Sequence, residues 1–217
     1  MSAYDLQLQN SSDTTRKVAA QGDARGNLLI AQGAPLYMEG TRRGNRYATM
    51  ATAAVAALVV RPTTVAALEI YNNTGTVPIN GGPASMVITR LFSHELVTST
   101  TGLGGGAVIY ACVSTAKAAP TDAALAINSL SGKPAPTKVV ATAASQTITD
   151  NGWFPYGTTV KKESAGAVVP GGGIEAIIDG RLIVPPGCAL FIHVVSGYVG
   201  DTFTSGAEWL FENLTLL

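Results

Sequence analysis

Leu182-Ile183-Val184-Pro185-Pro186-Gly187-Cys188-Ala189-Leu190-Phe191-Ile192-His193-Val194-Val195 reads as two apolar strands joined by a tight turn. Valine, isoleucine and phenylalanine fit a pleated, buried surface. Each run is also too short for the helix that its hydrophobicity alone would allow. Between them the proline pair fixes φ and withholds two backbone donors, while Gly187 supplies the positive φ of a reversal. The spacing predicts a hairpin over 182–190. In 189–195 both faces of the strand are apolar, which predicts cover on both sides, by the opposite sheet on one and by another subunit on the other.

The same punctuation recurs along the chain. Strand-like runs lie at 66–71, 86–97, 107–114, 137–142, 173–179, 181–184, 189–195 and 208–216, rich in Val, Ile, Leu and Thr. Between them stand Asn72-Asn73-Thr74-Gly75, Asn80-Gly81-Gly82-Pro83, Gly102 to Gly106, Ser131-Gly132-Lys133-Pro134, Asn151-Gly152 and Pro170 to Gly173. Short strands at this spacing predict an all-β sandwich or barrel. Helical period is scarce. The Ala-rich stretch 51–57 is compatible with a helix or a strand, and 121–130 with a short helix capped by Thr121.

Residues 1–47 are polar and read as an extended N-terminal arm, with a short strand at Gly26 to Ile30; 48–217 is then the β domain. The arm ends in a basic cluster, Arg42, Arg43 and Arg46, expected to contact a partner. Three arginines without a groove or interleaved aromatics make a poor nucleic-acid signature. The charged fraction is 13%, about half the roughly 25% of ordinary soluble domains, so Thr, Ser and Asn must solvate the surface or neighbouring subunits must cover it. Fourteen basic residues balance 14 acidic ones, leaving no chain-wide field to draw the protein to nucleic acid or an anionic membrane. The start lacks the apolar core of a secretory signal, and the apolar run 51–60, ended by Arg61-Pro62, is half of the ~20 residues a spanning helix needs. Synthesis in the cytoplasm and no membrane partner are the expectations.

No motif converges on chemistry. Gly102-Leu103-Gly104-Gly105-Gly106-Ala107, with Asp122 about 20 residues on, has the spacing of a dinucleotide loop. A strand-like run follows it where that loop needs a helix N-terminus, so no cofactor is expected. His94 and His193 are the two histidines; His94 and Glu95 alternate faces in a strand and do not meet at one metal. Cys112 and Cys188 each lie in an apolar run, as small buried hydrophobes do. The sequons at Asn10, Asn72 and Asn213 carry no glycan argument without secretion. The aromatic stretch Trp153, Phe154 and Tyr156, inside Asn151 to Gly157, admits two readings: an exposed recognition loop, or a plug folded over the end of the sandwich. With no catalytic, metal or cofactor set, the chain is not expected to be an enzyme.

Several stretches together resemble virion structural proteins of tailed bacteriophages. They are Tyr37-Met38-Glu39-Gly40-Thr41-Arg42-Arg43-Gly44, Leu68-Glu69-Ile70-Tyr71-Asn72-Asn73, Ile88-Thr89-Arg90-Leu91 and Leu182 to Leu190. The resemblance implies an antiparallel β-sandwich of jelly-roll type. It further implies a homotrimeric capsid cement or decoration protein on the virion surface, bound to itself and to the major capsid protein or another virion protein. The alternative it leaves is a tail, collar or spike module that binds a host-surface glycan.

Overall fold

The strands on either side of Pro185-Pro186-Gly187 do not pair with each other. In the computed structural model of the chain, Gly173–Val184 and Ala189–Ser196 belong to different sheets. The turn explains why. Cys188 N–H donates to the Pro185 carbonyl at 3.1 Å, and Gly187, in the third position, has φ 78°. Proline second and positive-φ glycine third make a type II turn. Its twist splays the strands it joins, whereas hairpins favour the mirror-image turns. The expected hairpin is therefore a corner that carries the chain from one sheet to the other.

The structure describes residues 40–41, 44–51, 53–79, 81–97, 106–114, 128–129, 137–140, 152–160, 172–198 and 200–214, together with the short strands 7–9, 17–19, 21–22 and 28–29. The chain divides into two units, 1–39 and 40–217. In the first, Gln7–Gln9 (β1) pairs with Lys17–Ala19 (β2), and Gln21–Gly22 (β3) with Leu28–Leu29 (β4), both antiparallel. The second holds Arg46–Met50 (β5), Val55–Ala56 (β6), Leu68–Asn72 (β7), Ser85–Val97 (β8), Gly106–Ser114 (β9) and Asn128–Ser129 (β10). It continues with Thr137–Val140 (β11), Phe154–Val160 (β12), Gly173–Val184 (β13), Ala189–Ser196 (β14) and Thr202–Glu212 (β15).

One sheet runs β10-β5-β15-β8-β13, with β6 also on β15; the other runs β11-β7-β14-β9-β12. Set aside the short β6, β10 and β11, and eight strands remain. They pair from the outside in: β5 with β15, β7 with β14, β8 with β13 and β9 with β12, all antiparallel. A long antiparallel hairpin rolled into two sheets is a jelly roll, and the fold is an all-β jelly-roll sandwich.

Pleat alternation fills the space between the sheets. Met86, Ile88, Leu91, Phe203, Trp209 and Phe211 face Leu68, Ile70, Ile109, Leu190 and Ile192 in one buried cluster. Each such side chain contributes about 1.5–3 kcal/mol by leaving water. A second cluster, Ala66, Tyr71, Cys112, Trp153, Ala189 and Phe191, lies on the other face of the β14 sheet. The chain between β6 and β7 also pairs edge-on with β14, in the plane of the sheet. Leu58 N–H donates to the Val194 carbonyl at 3.0 Å, Ser196 N–H to the Leu58 carbonyl at 2.8 Å, and Ala67 N–H to the Ile192 carbonyl at 2.9 Å. Ala189, Phe191 and His193, which alternate to that other face, are buried within one chain, so the two-sided apolar character of β14 needs no second subunit.

The expected arm boundary at 47/48 falls inside β5. Tyr47 is buried, stacked on Trp209 at 6.1 Å between ring centroids and edge-on to Phe211 at 5.2 Å. Arg46 and Tyr47 therefore belong to the sandwich, and the polar stretch before them hid a five-residue strand. The break expected at Gly180 is instead a bulge within β13, where Asp179 and Gly180 take φ of 47° and 79°. In 51–57, Val55–Ala56 is strand; of 121–130, Asn128–Ser129 is strand paired to β5, and the rest of the expected helix lies outside the described residues.

Candidate functional site

The most chemically structured surface is the outer face of the six-stranded sheet. Alternation in Arg90-Leu91-Phe92-Ser93-His94 sends Leu91 and Ser93 inward and Arg90, Phe92 and His94 outward. Register then places Glu208 of β15 beside Arg90, and Glu175 of β13 beside Phe92. Four charges link across four strands. Arg46 Nη2 donates to Glu208 Oε2 at 2.6 Å, Arg90 Nη2 to Glu208 Oε1 at 2.6 Å, and Arg90 Nη1 to Glu175 Oε1 at 3.0 Å. The Glu208 side chain is 11% exposed and Glu175 55%, so the chain of charge runs from a nearly dry centre to a wet edge. Glu208 depends on its two guanidiniums, because an unpaired carboxylate at that depth is costly. The outer Arg90–Glu175 pair contributes only ~0–1 kcal/mol.

Phe92 completes the face. The Arg90 guanidinium sits 5.0 Å from the centre of its ring, and the ring occupies the space over Gly206, where a Cβ would lie 2.4 Å from it. Beside it Arg90, Phe92, His94, Gly173, Ile174 and Glu175 line a shallow depression of ≈ 210 Å³. Two cations match two anions, and Met50 and Ile177 stand about half exposed on the same face.

Of the basic cluster, Arg46 belongs to this face, and Arg42 and Arg43 lie outside the described residues. The aromatic trio does not form one platform. Its stretch is strand β12 from Phe154 onward, with a bulge after Tyr156, rather than a loop. Trp153 is buried in the second cluster and donates Nε1–H to the Thr63 carbonyl at 3.2 Å. Phe154 is 62% exposed, and Tyr156 packs half-buried against the main core. Burial holds the Tyr156 hydroxyl above its ordinary pKa, with the Arg181 charge opposing; burial raises Tyr47 likewise.

The histidines are far apart in character. His94 is exposed on the outer face, whereas His193 is buried and its Nδ1 accepts the Val194 N–H at 2.9 Å. Burial lowers the His193 pKa, and donation from a protonated Nδ1 to the Val194 carbonyl, 3.1 Å away, opposes that shift. Cys112 and Cys188 are both buried, and neither is in a disulfide. Among the described residues, no three His, Cys, Asp or Glu side chains gather to hold a metal, and no helix is long and apolar enough to cross a membrane. Gly102 to Gly105 and Asp122 lie outside the described residues; from Gly106 the chain is strand β9.

Asn72, read from sequence as turn punctuation and a sequon, is fully buried. Its Nδ2 donates to the Ala84 carbonyl at 2.9 Å and the Val184 carbonyl at 2.8 Å, while Oδ1 accepts from Thr74 N–H and the Thr74 hydroxyl. Its backbone N–H donates to the Cys188 carbonyl, and its carbonyl accepts from Gly187 N–H. One side chain thereby ties both ends of the β7–β8 connection to the end of β13. Sequence reasoning missed Glu175 and Glu208 as parts of the outer face; the alternation at 90, 92 and 94 was visible, but their pairing depends on register between distant strands.

No family model and no curated protein matches the chain. Among solved structures it is similar to the unassembled KI polyomavirus VP1 pentamer, at 12% identity over 86% of this chain and 100% of that one, with a TM-score of 0.28. At that score the fold assignment rests on the strand pairing itself.

Proposed function

We propose that this chain is a structural protein of a virus particle, in the role of a cement or decoration protein. It joins copies of itself and the major capsid protein on a tailed-bacteriophage shell. The observation that carries the reading is the outer face of the six-stranded sheet. Arginine, methionine and phenylalanine are enriched at protein–protein interfaces, and here Arg46, Arg90, Met50 and Phe92 share one face with their charges paired. The low charged fraction and the jelly-roll fold fit the same role. The stretch 1–39, with Arg42 and Arg43 after it, supplies the reach to neighbouring subunits.

The test is position and copy number in purified particles, by image reconstruction and quantitative mass spectrometry. Repeated placement on the shell is expected. A monomer without affinity for capsids lacking it overturns the reading.

Exposure of Phe154 favours a second reading, a tail, collar or spike module that binds a host glycan through edge strand β12. Phe154→Ala is the probing substitution, since Trp153 is buried. A silent glycan array with unchanged host adsorption removes this alternative.

A further inference from the structure

We infer that the outer face of the six-stranded sheet is a two-fold contact between two copies of this chain. The inference rests on the reading of the chain as an assembly subunit and names the surface that assembles.

The argument is the order of charges. Arg46, Glu208, Arg90 and Glu175 alternate in sign along a diagonal that crosses β5, β15, β8 and β13. Place a second copy face to face, about a two-fold axis that lies in the face and crosses that diagonal at its middle. The order then reverses: Arg46 meets the second copy's Glu175, and Glu208 meets its Arg90. Opposite charge faces opposite charge at all four positions, with no net charge trapped. An axis along the diagonal would instead set Arg46 on Arg46. The pattern therefore selects one two-fold arrangement and penalises the other, as an isologous interface requires.

Size agrees. Four strands at ~4.8 Å spacing and the length of β15 give roughly 700 Å² of planar area, close to the ~800 Å² per partner of a standard interface. Met50 and Ile177, 47% and 53% exposed, supply apolar surface on the same face.

Sedimentation of the full chain over a concentration series, with Glu175→Lys, Arg46→Glu and their combination, tests this. Within one chain Arg46 and Glu175 bind different partners, three strand spacings apart, but belong to one linked network, so the melting temperature of each variant is read beside its sedimentation to separate intrachain coupling from the contact. Each single substitution is expected to weaken the dimer about tenfold by setting like charges opposite. The double substitution restores it without a matching recovery of the melting temperature, which places the rescue across the contact. Ile177→Lys, on an exposed edge-strand position, weakens the dimer while leaving the melting temperature in place, which separates contact loss from misfolding.

A wild-type monomer across the whole series overturns the inference, as does an oligomer indifferent to Glu175→Lys and Ile177→Lys, or a double variant that keeps the wild-type melting temperature yet stays dissociated. An oligomer that moves to another face when 1–39 is removed overturns it too. If the chain still occupies particles while remaining monomeric in solution, only the two-fold contact falls and the virion role stands.

Discussion

Asn72 shows how much one side chain can fix. Its two amide donors and one acceptor are all used in a site with no water access, so the isosteric Asn72→Asp turns a donor into an oxygen facing two carbonyls. Asn72→Ala is expected to cost about 2–4 kcal/mol in urea denaturation through the buried groups it orphans, and Asn72→Asp more. Gly206 is fixed by space rather than by hydrogen bonds. A Cβ there lies 2.4 Å from both the Thr49 carbonyl oxygen and the Phe92 ring, so Gly206→Ala should cost roughly 2–3 kcal/mol. Gly82→Ala, with nothing within 4 Å of the new carbon, is the control and should change stability by less than about 0.5 kcal/mol. His193 makes stability depend on pH. Its folded pKa lies below the ordinary 6.5, so the unfolded chain binds more protons between the two values. Its contribution is complete above pH 6.5 and is lost as pH falls through the folded pKa. A thermal melt series from pH 7.5 downward should show a falling midpoint, and His193→Gln should flatten the drop.

At the scale of elements, turn chemistry was legible and partnership was not. The runs at 86–97, 107–114 and 189–195 match β8, β9 and β14 to within a residue, because β-branched content and flanking Gly and Pro are local signals. The Pro185-Pro186-Gly187 turn was equally visible, yet whether it makes a hairpin or a corner depends on the twist of a type II turn and on which strands already occupy each sheet. Gly187→Ala isolates that conformational requirement: with only the Tyr71 hydroxyl 4.0 Å away, the expected loss of about 1–2 kcal/mol comes from positive φ. β5 was missed because five residues alternating against a distant strand carry little local pattern. β12 was missed because Trp153-Phe154-Pro155-Tyr156-Gly157 has the composition of a loop. Trp153→Ala should cost about 3–5 kcal/mol as a cavity in the second cluster, read by thermal denaturation.

For the whole molecule, the outside-in pairing makes nearly every contact non-local. β5 cannot find its place until β15 exists, and β7 waits for β14. Refolding on the millisecond-to-second scale of non-local β folds is the expectation, measured by stopped-flow fluorescence of buried Trp209. The same non-locality explains why the site was illegible. Arg46 and Glu208 are 162 positions apart in sequence and 2.6 Å apart in space.

β15 follows every other described strand in the chain, yet it lies inside its sheet, between β5 and β8. During translation the ribosome therefore delivers the centre of that sheet after its flanks. A message cut short yields β5 and β8 with a missing seam, and it also lacks Glu208, the residue that orders the arginines on the outer surface. Such a fragment has neither a closed sandwich nor the linked charges of the outer face, so the last strand made completes the core and the surface in one step.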